Sequence, residues 1–293
     1  MIEHPYQNLS GGRWLVGNLH THTTASDGER DHQAVIDDYA GRGYGFLAIS
    51  DHDIYTSLED YEQYDAQGMI LVPGNEISAN GPHVLHVGDA GWVEPHADRQ
   101  RVIDEVNESG GGFALFNHPN RHGNFNHCPQ ELLQACEGYV GLEIYNGVIC
   151  RSEGSPYATN RWDMLLSAGR RLWGFANDDS HAAKGDVGLG WNVAYVEEET
   201  ASGVVEALRA GRFYASTGVE INQIQVEGNR IWIETENAAR IVALRAGAQR
   251  IAVADGREIE VEVPERAGYV RFECWGAGEA FAWTQPFFCE ESE

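Results

Sequence analysis

Short apolar runs alternate with amphipathic segments from Trp14 to about Trp191, and this alternation constrains the fold more than any other feature of the chain. It is the pattern of βα units that build a parallel sheet or barrel. Each run closes on a residue able to bind a metal ion. Val16-Gly17-Asn18-Leu19 leads into His20-Thr21-His22 and a Ser26-Asp27-Gly28 turn, and Phe46-Leu47-Ala48-Ile49 leads into Ser50-Asp51-His52. Met69-Ile70-Leu71-Val72 precedes Gly74-Asn75-Glu76, Phe113-Ala114-Leu115-Phe116 precedes Asn117-His118-Pro119, and Leu172-Trp173-Gly174-Phe175-Ala176 precedes Asp178-Asp179-Ser180-His181. Residues two apart on a strand point to one side, so His20 and His22 aim both imidazoles at a single point. Asp27, in its turn, can swing a carboxylate back over that strand tip.

One His-x-His pair is weak evidence, because core histidines are often satisfied by hydrogen bonds. Recurrence strengthens it. The strand C-termini of a parallel α/β barrel share one face, where residues distant in sequence meet. The set is His20, His22, Asp27, His52, Glu76, His83, His118, Asp179 and His181, too many ligands for one ion and about right for two or three. Imidazole and carboxylate without thiolate suit Zn²⁺, Mn²⁺ or Fe²⁺. His86 lies three residues beyond His83 on one extended run and faces the opposite way, so either can complete the set. Asp51 is expected to orient an imidazole from behind. His4, His32, His96, His122 and His127 read as surface or pocket histidines.

Composition bounds the partners. The formal charge of the 293 residues is −25, and Lys184 is the only lysine. Such a surface repels phosphate backbones, which argues against long nucleic acid and for a small substrate. Five scattered cysteines without a C-x-x-C pair argue against a disulfide frame and a thiolate zinc knuckle. No leader or membrane-spanning run is legible, so a cytoplasmic chain away from membranes is expected. Neither a Gly-x-Ser-x-Gly elbow nor a Walker loop occurs, leaving covalent serine catalysis and nucleotide-triphosphate cycling without support. From about Phe213 the apolar period becomes two, with turns at Glu227-Gly228-Asn229 and Asp255-Gly256. A catalytic barrel over residues 1–218 followed by a small antiparallel sandwich over 219–293 is expected.

The order His-x-His, Ser-Asp-Gly, Ser-Asp-His, Gly-x-Glu, His, Asn-His-Pro, Asp-Ser-His resembles the PHP (polymerase and histidinol phosphatase) superfamily of metal-dependent phosphoesterases over about residues 14–196. Gly211 to Gly218 and Trp283-Thr284-Gln285-Pro286 resemble its two-domain branch with a C-terminal sandwich, where some members are carbaryl-type ester hydrolases and Asn often stands in place of Gln285. The resemblance implies an α/β fold, a distorted (β/α)7 TIM-like barrel with a trinuclear site. His20, His22, Glu76 and Asp179 would hold one ion, Glu76, His83 and His118 a second, and Asp27, His52 and His181 a third. It prefers His83 to His86. It further implies hydrolysis of a phosphomonoester or phosphodiester of a small molecule or short nucleotide by a metal-activated water, with His20, Glu76, Asp179 and His181 central to the chemistry.

Arg121, Arg151, Arg161 and Lys184 lie in or beside loops that follow strands, and are candidates for binding the substrate phosphate. Two other readings stand beside this one. The same site could cleave a carboxyl or carbamate ester in a pocket around Phe125, Tyr145, Tyr157 and Trp162. Alternatively, a catalytically silent metal-binding barrel would leave the sandwich to bind a partner.

Overall fold

A computed structural model describes residues 2–289. In chain order its elements are β1 (Ile2–Glu3), β2 (Arg13–Asn18), α1 (His32–Gly41), β3 (Phe46–Leu47), α2 (Leu58–Tyr61), β4 (Ile70–Leu71), β5 (Gly74–Ile77), β6 (Val84–Gly88), α3 (Arg99–Glu108) and β7 (Gly112–Phe116). There follow α4 (Gln130–Ala135), β8 (Gly141–Asn146), α5 (Thr159–Ser167), β9 (Trp173–Asn177), β10 (Trp191–Val196), α6 (Ala201–Arg209), β11 (Phe213–Ser216) and β12 (Ile221–Glu227). The last are β13 (Arg230–Thr235), β14 (Arg240–Arg245), β15 (Gln249–Asp255), β16 (Glu258–Glu262), β17 (Tyr269–Trp275), β18 (Phe281–Thr284) and β19 (Phe287–Cys289). Asp31 caps α1 by accepting the Ala34 amide, and Thr200 caps α6 by accepting that of Gly203. No helix among the described residues is long and apolar enough to cross a membrane.

The expected closed (β/α)7 barrel is not formed; the wall is split into two sheets. β2, β3 and β4 pair in parallel, with β10 antiparallel against β2. β5 to β9 form the other sheet, in which β6 runs antiparallel to both neighbours and β7, β8 and β9 are parallel. Near the site the two sheets meet at isolated bridges, Thr21 with Ser180 and His52 with Glu76. The reason for the opening lies at β9. Its free edge is capped by side-chain amides in place of a strand: Asn192 bonds the N–H and C=O of Ala176, and Gln285 those of Gly174. An amide offers one donor group and one acceptor in nearly the geometry of a peptide, so each replaces a ladder rung.

Gln285 is fully buried, reaching Gly174 from the strand cluster near the C-terminus. Gln285→Ala leaves both backbone groups of Gly174 buried and unpaired, at an expected loss of about 1–3 kcal/mol. A lower urea midpoint at unchanged m-value is the result to look for.

The C-terminal strands are antiparallel and two-layered, but their larger layer is continuous with the wall. β11 pairs β10 on one edge and β18 on the other, and the sheet continues through β17 to β14 and β15. The second layer, β12-β13-β16, lays Ile221, Ile231, Ile233, Ile259 and Val261 against Ile241, Ala243, Val270 and Phe272. Period-two sequence records this layering well. It does not record which edge each layer joins, because edge pairing is made by backbone N–H and C=O groups that side-chain alternation does not encode.

Candidate metal centre

The parallel strands end at one face, and this places His20, His22, His52, His118 and Asp179 together there. His83 arrives differently. It precedes its strand, but β6 runs antiparallel, so its N-terminal end lies at the same face. His86, deeper on β6, faces away, hydrogen-bonds the Asn75 amide oxygen through Nδ1 and stacks on Tyr55. His118 and Asp179 have φ of 29° and 56°, left-handed values that non-glycine residues adopt at a cost and that recur at functional sites.

Three groups of ligand atoms result. His20, His22 and Asp179 form the deepest, all buried. Glu76 stands between this group and the next: its Oε1 lies 3.3 Å from His20 Nε2, 3.0 Å from His83 Nδ1 and 3.2 Å from His118 Nε2. Its Oε2 is 2.9 Å from His52 Nδ1 and 3.7 Å from His22 Nε2. Towards solvent, Asp27 Oδ2 lies 3.6 Å from His52 Nε2, and Oδ1 lies 3.4 Å from His181 Nε2 and 3.8 Å from His22 Nδ1. All nine ligand-type residues chosen from the sequence therefore face one another.

These atoms are arranged for cations. His20 Nδ1 is 2.7 Å from Glu143 Oε1 and donates to it, which leaves the Nε2 lone pair facing Glu76 and Asp179. His20 Nε2, His22 Nδ1, His52 Nδ1, Glu76 Oε2 and His118 Nδ1 are buried without a hydrogen-bond partner. Acceptors turned on acceptors in a dry site are costly unless positive charge lies between them. Burial alone would raise the Glu76 and Asp179 carboxyls, but the surrounding imidazoles, His20 foremost, hold both well below the ordinary carboxylate range. Burial pushes the His22 and His118 imidazoles down, whereas at His20 and His52 burial is outweighed by the neighbouring carboxylates, which push the imidazole up until a cation takes the proton's place. Ionised carboxylate and neutral imidazole are the forms that coordinate metal. The donor set therefore fits divalent metal ions, its ligand atoms falling in overlapping groups that Glu76 links, among them His20 with Glu76 and His118, and His52 with Glu76 and His83.

No family profile and no curated protein matches the chain. Among solved structures, a two-domain protein from Bacteroides vulgatus, described as containing a predicted PHP-like metal-dependent phosphoesterase, is similar over 100% of this chain and 91% of its own, with a TM-score of 0.57 at 16% identity. The chain shares the fold of that two-domain protein. An amidohydrolase from Chromobacterium violaceum, solved with bound sulfate and no metal, matches 57% of this chain and 87% of its own, with a TM-score of 0.42 at 17% identity.

In this chain several residues take positions other than those expected. Asp51 is buried and, among the described residues, hydrogen-bonds no imidazole, the His32 Nε2 lying 3.9 Å from its Oδ2. It accepts from the Thr23 amide and hydroxyl and the Ser26 hydroxyl, pinning the turn that presents Asp27. His127 is at the centre's edge, its Nε2 accepting the His83 amide and its Nδ1 3.2 Å from His122 Nε2. Burial and the neighbouring imidazoles push it down to about 2.

The rim cations divide. Arg161 is committed to the loop after β7, donating to Asn120 Oδ1, the Phe125 carbonyl and Asn126 Oδ1. Arg151 pairs with Asp186, whose other oxygen accepts the amides of His181 and Ala182. Arg121 and Lys184 have no side-chain hydrogen bond or ion pair among the described residues, and Lys184 is exposed. Tyr145 and Tyr157 pack edge-on at 5.3 Å, and Phe125 is 51% exposed beyond them. Trp162, expected in the same pocket wall, is instead fully buried in the core, with its indole N–H on the Leu172 carbonyl.

Sequence reading missed Glu143. It stands inside the apolar strand β8, and a carboxylate among Gly141-Leu142-Glu143-Ile144-Tyr145 is the signal that could have found it, since an unpaired charge is not tolerated there.

Proposed function

We propose that the chain is a metal-dependent hydrolase that cleaves a phosphomonoester or phosphodiester of a small molecule or short nucleotide, over two or three ions of Mn²⁺, Zn²⁺ or Fe²⁺. A division at about residue 218 and a cytoplasmic location belong to the same reading. The supporting observation is the convergence of seven imidazole and carboxylate side chains, His20, His22, His52, Glu76, His83, His118 and Asp179, around one buried face, with Asp27 and His181 above them. Bound divalent ions supply a water of lowered pKa and neutralise charge on phosphoryl oxygens.

The residues do the rest. Glu76 and Asp179 hold negative charge in a site closed to bulk water on its inner side. The Asp179 carbonyl accepts from His181 Nδ1 at 2.7 Å, which turns His181 Nε2 toward Asp27 at the opening. Arg121, Arg151 and Lys184 on the rim give an anionic substrate its orientation, and Arg161 serves through the loop it braces.

A second reading, hydrolysis of an aryl carboxyl or carbamate ester, is favoured by one feature: the loop braced by Arg161 carries the exposed aromatic ring of Phe125. The test is a side-by-side screen of phosphate monoesters, phosphate diesters, aryl esters and carbamates with Mn²⁺ or Zn²⁺. Turnover of phosphate esters supports the first reading, turnover of aryl esters or carbamates alone the second. Ion-loaded protein that cleaves none of them overturns both and leaves the silent metal-binding protein.

Ion affinity should fall on acidification, because the ligand imidazoles must be neutral to bind and their ordinary pKa is about 6.5. Calorimetric Zn²⁺ titrations at pH 8 and pH 6 are expected to show weaker binding at the lower pH, with proton release at both.

A further inference from the structure

Glu143 receives four hydrogen bonds, from groups that belong to different parts of the centre. His20 Nδ1 donates to Oε1 at 2.7 Å and Asn177 Nδ2 to the same oxygen at 3.0 Å. The backbone N–H of His118 donates to Oε2 at 2.8 Å, as does Asn146 Nδ2, also at 2.8 Å. Asn146 Nδ2 is in turn 3.2 Å from Asp179 Oδ2. One buried carboxylate thus fixes the ring of His20, the backbone from which His118 projects and, through Asn146, the carboxylate of Asp179. Asp27, His52 and His181, which are partly exposed, are held differently: Asp51 pins the turn of Asp27 and Asp186 accepts the His181 backbone N–H, but neither carboxylate hydrogen-bonds the ring of His52 or His181. Asp27 is 55% exposed at its side chain, and the His181 ring donates to the Asp179 carbonyl and to no carboxylate behind it.

We propose that Glu143 is a positioning residue that sets the affinity of the two inner cation loci and not that of the outer one. Its charge holds His20 in the tautomer that leaves Nε2 free for metal and raises the basicity of that nitrogen, and outer partners of this kind are conventionally worth roughly 10–100-fold in metal affinity. The outer locus, more exposed and with no carboxylate bonded to its imidazole rings from behind, binds more weakly and empties first. The inference rests on the metal-centre reading of the site, though not on the bond that is cleaved.

The test is equilibrium dialysis of the full chain against graded free Zn²⁺, with bound zinc counted by elemental analysis. Wild type should show a tight phase and a weaker one. Glu143→Gln should move the tight phase by about 10–100-fold and leave the weak phase in place, while Asp27→Asn should remove the weak phase alone. Near-ultraviolet circular dichroism reports whether each variant is folded. Should Glu143→Gln fail to fold, because its amide N–H meets donors, Glu143→Asp is read in its place; it keeps the charge but withdraws it by one methylene, and the same phase should shift in the same direction. A folded variant with wild-type zinc binding, or one that loses both phases equally, overturns the proposal. Normal zinc phases in a protein that hydrolyses no ester would sink the proposed activity and leave this inference standing.

Discussion

Glu76→Gln is expected to lower turnover by more than the roughly 10–100-fold that loss of an outer partner costs, while the protein stays folded. Glu76 is the carboxylate that faces imidazoles of all three ligand groups, through His20, His83, His118 and His52. The amide keeps an oxygen to accept from Asn117 Nδ2, which donates to Oε1 at 2.7 Å, so the local hydrogen bond survives. It cannot carry the negative charge that two cations would share. Steady-state kinetics on a substrate found in the screen, with thermal unfolding measured alongside, provide the check. A variant that keeps wild-type kcat removes Glu76 from the centre.

Arg271→Ala is expected to cost about 3–5 kcal/mol of stability, the largest effect away from the centre. Arg271 on β17 is buried and forks onto Asp163 of α5, with Nε at 2.8 Å from Oδ1 and Nη2 at 2.6 Å from Oδ2, and the Tyr269 hydroxyl donates to the same carboxylate at 2.7 Å. Truncation leaves the Asp163 carboxylate buried without its cation. Replacing both partners, Arg271→Met with Asp163→Leu, should restore most of the loss, short of the roughly 1 kcal/mol of the Tyr269 bond. Urea unfolding of Arg271→Met, Asp163→Leu and the double variant closes the cycle. A loss in the double variant equal to the sum of the two single losses would show that the pair carries no specific coupling between α5 and β17.

Much of the centre is legible in the sequence because each ligand-type residue follows a short apolar run, and that pattern survives even where the barrel it suggests does not close. His83 and His86 are separated by alternation on β6, but only the antiparallel direction of that strand brings His83 to the shared face, and single-strand periodicity does not encode direction. The opening at β9 leaves no periodic trace at all. It depends on two amides, Asn192 and Gln285, reaching strand backbone 16 and 111 residues away. Glu143 is hidden for a related reason: its four donors come from four strand ends, so its role appears only once those ends are assembled. Asp51 and Arg161 show the opposite failure. Each has the right chemistry for the site and spends it on a loop.

The most direct test of the account is the divalent-ion content of the full chain, purified without chelator and measured by elemental analysis. About two to three ions per chain are expected from the donor set. Less than about one ion per chain, in protein then given excess Mn²⁺ or Zn²⁺ and desalted, would contradict a centre built for a cation cluster.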